Sequence, residues 1–144
     1  MRALALLLVC AAPAFAQEVA PDRPQVDCLS EALTQAELNA CASDTYEAAD
    51  AELNEAYRLA ITAAKAADQR RAVEGRALDV TQEGLLREAQ RAWITFRDAA
   101  CAAEAMDMAG GTAQPMVGTL CLARVTLSRT EDLRQIGSGA VGNP

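Results

Sequence analysis

Apolar positions recur at steps of three and four along most of this chain, the spacing of a helix with one buried face, and strand-like alternation is absent. Leu38, Cys41, Ala49, Leu53, Ala56, Ala60 and Ala64 lie near one face, with acidic residues outside it. Thr34-Gln35-Ala36-Glu37 precedes them as a capping-box pattern, which predicts a long first helix starting there and fraying between Asp68 and Gly75. Asp79 or Thr81 can cap a second helix carrying Leu86, Ala89, Trp93, Phe96 and Ala100. Met108-Ala109-Gly110-Gly111 reads as a stop, after which Thr112 can cap a third helix through Met116, Leu120, Ala123, Leu127 and Leu133. The pattern therefore predicts an all-α fold, a small antiparallel bundle of about three helices.

If the first two helices form a hairpin turning near residue 75, positions summing to about 150 face one another. That register sets Asp50 and Leu53 near Arg97, and Tyr57 near Trp93. It predicts an Asp50 to Arg97 ion pair and an Asn54 to Gln90 bond across the seam. Gln90, Trp93, Arg97 and Cys101 follow one another at helical steps, forming a stripe with Phe96 and Ala100 beside it. Trp93 and Phe96 are expected in the core, because aromatics at helical spacing more often pack than bind ligands.

The ends of the chain change the picture. Met1 to Ala16 has a basic start at Arg2, a short apolar run and Ala14-Phe15-Ala16, so it is expected to be a signal peptide cleaved near Ala16. A flexible segment, 17–27, should follow it, then one helical domain over 28–134 and a disordered tail over 135–144. The expected location is the periplasm or the medium, with no integral membrane association, since no apolar run reaches the roughly 20 residues a span requires. Lipidation at Cys10 is disfavoured by the bulky Val9 before it.

The exported part keeps Cys28, Cys41, Cys101 and Cys121, an even count that predicts two disulfides. Cys101 and Cys121 stand nearly symmetrically about Gly110-Gly111, which favours their pairing and leaves Cys28 for Cys41. The pairing of Cys28 with Cys121 and Cys41 with Cys101 stays open.

Composition narrows the chemistry. Twenty acids against thirteen bases give a formal charge of −7, which argues against nucleic acid and towards cationic proteins as partners. There is no histidine, so the usual neutral-pH base, the commonest metal ligand and histidine-based nucleophilic pairs are excluded. Glu47, Asp50, Glu52 and Glu55 read as a solvated helix face; a glycosidase would need two carboxylates of different pKa in a cleft. No catalytic, cofactor or metal residue is predicted, and no cofactor is expected. The pattern fixes no oligomeric state.

The spaced motifs resemble the LprI-like N-terminal domain, a family of small exported bacterial proteins that includes a lysozyme inhibitor. They are Cys28; TQAELNAC ending at Cys41; Tyr46 and AADAELNEAY with Asp50, Leu53, Asn54 and Tyr57; LREAQRAWITFRDAAC with Gln90, Trp93 and Arg97; Gly110, Gly111, Thr112 and Met116; and CLARVTLSRTEDL with Cys121, Arg129 and Leu133. The resemblance implies a helical, disulfide-bonded periplasmic domain without catalytic residues, and lysozyme inhibition in one branch. The expected role is a non-enzymatic protein-binding domain, directed at a cationic lysozyme or, alternatively, at another envelope protein through an inter-helix groove. By shape, the Gly110-Gly111-Thr112 turn and the 69–80 connection are the candidate contact points.

Overall fold

The computed structural model describes Cys28 and residues 34–138; the expected signal peptide, the 17–27 segment and residues 139–144 lie outside them. Three helices fill this range, α1 (Gln35–Val73), α2 (Gln82–Ala105) and α3 (Gln114–Ser138), with a short 3-10 turn at Met106–Met108. They run up, down and up. Asn39 Nδ2 donates to the Thr112 carbonyl at 3.5 Å near one end, and Arg134 meets Glu52 at 2.8 Å further along, so α3 lies beside α1 in the same direction. The all-α bundle predicted from periodicity is the fold observed.

Local chemistry sets the helix ends. The Thr34 hydroxyl accepts from the Glu37 N–H while the Glu37 carboxylate accepts from the Thr34 N–H at 2.8 Å, a complete capping box. At the other end of α1, Gly75 adopts φ +69°, and the N–H groups of Gly75 and Arg76 bond back to the Ala72 and Arg71 carbonyls. This reversal requires a left-handed residue, which glycine supplies without a Cβ clash. Thr81 caps α2 by accepting from the Gly84 N–H at 3.1 Å.

The third helix begins differently from its prediction. It starts at Gln114, and its first carbonyl acceptor is Ala113, which receives the Val117 N–H. Thr112 instead gives its carbonyl to Asn39, while the Gln114 side chain accepts from the Gly110 N–H at 3.1 Å. The helix also runs to Ser138, through 135–138 of the expected tail. Ile136 packs against the core, and Gly137 lies so close to α1 that a Cβ there would sit 3.6 Å from the Ala60 nitrogen. Burial extends the helix past the point where the apolar pattern thins.

The core is built from Leu53, Ala56, Ala60, Ile61, Ala64, Leu86 and Leu133, with Tyr57 and Trp93 packed against it. Alanines on α1 let the neighbouring backbones approach closely, so a small set of large side chains suffices to fill the space. On α2 the inward positions are Leu86, Gln90, Arg97, Cys101 and Ala105. Phe96 is 63% exposed, which corrects its expected core position. The reason is angular: each residue turns about 100° around the helix, so a face that buries Arg97 and Cys101 carries Phe96 outward.

Candidate functional site

Arg97 is the centre of a polar cluster between α1 and α2. Its guanidinium lies 5.1 Å from the Trp93 ring centre and 5.7 Å from that of Tyr46, so it is clasped between α2's own preceding turn and α1. Asp98 takes the charge directly, at 2.8 Å from Nη2 and 2.9 Å from Nε. Asp50 stands at 3.9 Å, so the predicted inter-helix ion pair is present but secondary. The chain's sequence neighbour, rather than the acid across the seam, is its principal counter-ion.

The predicted Asn54 to Gln90 bond does not form. Asn54 Nδ2 reaches back one turn to Asp50 Oδ2 at 2.9 Å, and Gln90 Oε1 accepts from Arg129 Nε of α3 at 3.1 Å. Hairpin register alone missed this, because it placed only two helices; α3 supplies the better partner. Leu53 is in the core, Tyr57 and Trp93 pack on it, and Asp50 is half-buried. The family-motif residues thus join the three helices, with Tyr46 and Arg129 completing the set.

Two disulfides pin the scaffold. Cys101 and Cys121 connect α2 to α3 across the Gly110-Gly111 turn, and Cys28 is bonded to Cys41 on α1. The symmetric spacing favoured this arrangement.

The turn between α2 and α3 presents what the scaffold leaves unburied. Met106 and Met108 are exposed, as are Asp107, Gly110, Gly111 and Thr112. Gly110 sits at φ +79°, and the Gly111 N–H bonds the Met108 carbonyl at 2.9 Å. A small cleft of about 390 Å³ beside it is lined by Ala102, Ala105, Pro115, Gly118 and Leu122, among others. At the opposite end of the bundle, a groove of about 840 Å³ is walled by Leu78, Val80, Leu85 and Ile136, with Arg70 and Arg71 on its rim.

Hydrogen bonds hold three carboxylates below their ordinary range. Glu37 is held below the usual carboxylate range by the Thr34 hydroxyl and N–H, and Glu55 by its bond to Arg58. Asp68 is held down by the Glu83 and Gln82 N–H groups at the start of α2. No described helix is long and apolar enough to cross a membrane.

An uncharacterised protein of Rhizobium meliloti (strain 1021) is 42% identical over 141 residues, covering 96% of this chain and 94% of that one. No solved structure matches. The profile of the family described as lysozyme inhibitor LprI matches residues 27–133, a range that takes in all four bridged cysteines, the Arg97 cluster and the exposed turn. The chain belongs to the LprI lysozyme inhibitor family.

Proposed function

We propose that this chain is an exported, non-enzymatic protein-binding domain whose partner is a cationic lysozyme-like muramidase. The observation that carries the reading is the family match over residues 27–133, which takes in α1, α2 and most of α3. The acidic balance supports it, because a charge of −7 favours encounter with a basic enzyme. Two disulfides suit an oxidising compartment outside the cytoplasm. The contact point best suited to enter a substrate cleft is the Gly110-Gly111-Thr112 turn, whose exposed tip is backed by a disulfide on the two flanking helices.

The test is lysis of bacterial wall suspensions by lysozymes of several types in the presence of the oxidised, mature protein. Slowed lysis with a stoichiometric complex supports the reading, and a Thr112→Glu variant, which sets an acid against the carboxylates of the cleft, should bind at least about tenfold more weakly with unchanged helicity. Unchanged lysis at micromolar excess for every lysozyme type, with no complex, rejects it. The groove at the 74–81 end favours a second reading, an accessory envelope protein that receives an apolar segment there. Binding that survives Thr112→Glu but is lost on Leu78→Glu would select that reading.

A further inference from the structure

The outward face of α2 carries an apolar stripe that the monomer leaves uncovered. Leu85, Ala89, Ala92, Phe96, Ala99 and Ala103, with Met106 in the 3-10 turn just beyond the helix end, succeed one another at alternating steps of four and three, and all seven are exposed. Leu85 is 55% exposed, Phe96 63% and Met106 62%. Alternating steps of this kind give a mean period of 3.5 residues, the spacing of a seam that pairs with another helix. The core face of α2, on Gln90, Trp93 and Arg97, lies roughly a third of a turn away, and of the stripe only Leu85 also walls the groove against Ile136.

The stripe is nearly palindromic. Read in either direction from Phe96 it gives two alanines and then a large flexible apolar residue, Leu85 on one side and Met106 on the other. A surface with this symmetry is complementary to itself when a second copy is laid across it antiparallel, about a two-fold axis near Phe96. In that arrangement Phe96 of each copy settles among the small Ala92 and Ala99 of the other, and Met106 of each meets Leu85 of the other. Charge fits as well. Arg91, whose guanidinium has no acidic partner among the described residues, and Asp98, already paired with Arg97, stand on one side of α2 about a third of a turn from the stripe, within reach only of the long Arg91 side chain. Along the helix axis, the two-fold brings Arg91 of one copy to about one helical turn from Asp98 of the other.

We infer that the protein forms an antiparallel homodimer through the outer face of α2, with Phe96 at the dyad. The seam is about 30 Å long and one helix wide. It buries on the order of 1,000 Å² in total, the lower end for a specific interface, so dissociation in the micromolar range is expected. The Gly110-Gly111-Thr112 turns then lie at opposite ends of the dimer and stay exposed, so the inference stands whether or not those turns bind a muramidase.

The experiment is sedimentation equilibrium of the oxidised mature protein from about 1 to 300 μM, with circular dichroism to check folding. The expected result is a concentration-dependent dimer that Phe96→Glu and, separately, Ala92→Glu weaken at least tenfold while helicity is unchanged. Ile94→Glu, which alters an exposed apolar residue on another face of α2, should leave the dimer constant within about twofold. A monomer throughout the range overturns the inference. So does a dimer that persists in both Phe96→Glu and Ala92→Glu, or one that Ile94→Glu disrupts equally.

Discussion

On α3, Thr126 and Thr130 lie one turn apart, and neither has any exposed surface. The Thr130 hydroxyl donates to the Thr126 carbonyl at 3.0 Å, whereas the Thr126 hydroxyl has no partner. An unpaired buried hydroxyl is a net cost, so Thr126→Val, which keeps the shape and removes the polar atom, should stabilise by up to about 1 kcal/mol in urea unfolding. Thr130→Val removes a made bond and should be neutral or lose about 1 kcal/mol. Arg97 offers the converse case. Its charge is sandwiched by two rings and its stem is buried, so Arg97→Ala should cost about 2–4 kcal/mol. A double-mutant cycle should couple Arg97 to Tyr46 or Trp93 more strongly than to Asp50, for which about 0.5 kcal/mol or less is expected at 3.9 Å on a half-exposed carboxylate. A larger coupling to Asp50 would restore the ion pair that the hairpin register put first.

Between α1 and α2, Asp68 acts as a joint. Its carboxylate accepts from the Gln82 and Glu83 N–H groups at 2.9 and 3.0 Å, and Arg71 grips it at 2.9 Å, so an acid on α1 satisfies the free donors that open α2. Its pKa is lowered in the folded state, so its stabilisation is present above the unfolded value near about 4 and fades as pH falls through the folded pKa. Asp68→Asn should therefore lower Tm at pH 7, with the gap to wild type closing below about pH 4; a constant gap down to pH 2 would deny the charge a role. Asp68 was legible in the sequence only as a fraying point, because its partners lie on another helix. The ends governed by local chemistry were readable: Thr34 with Glu37, Thr81, and the turn at Gly75. The inward face of α2 was readable as a stripe, but Phe96 was misassigned to it, since hydrophobicity alone cannot tell a core aromatic from one left for a partner. Thr126 and Thr130 were missed for the mirror reason, a polar label on a buried position. The exposed turn was visible as Gly110-Gly111, whereas its anchoring by Gln114 and Asn39 depended on where α1 begins.

For the whole molecule, rigidity and charge decide what the exposed turn can do. Cys101 and Cys121 close a loop spanning 20 positions of the sequence, and replacing both with serine should cost roughly 2–4 kcal/mol. Because the loop so closed contains the turn, the loss should also raise the inhibition constant of a turn-mediated inhibitor, by freeing a segment that must then be ordered on binding. Added salt separates this effect from electrostatics. If the chain's charge of −7 steers it to a basic enzyme, raising ionic strength from about 0.05 to 0.5 M should slow association at least about tenfold, with dissociation changing less. The serine variant should instead change dissociation and keep the same salt slope. Stopped-flow association and dissociation of both forms, at each ionic strength, distinguish the two contributions. An association rate that salt does not alter would leave the acidity to solubility alone, and an unaltered dissociation rate in the serine variant would move the contact away from the turn.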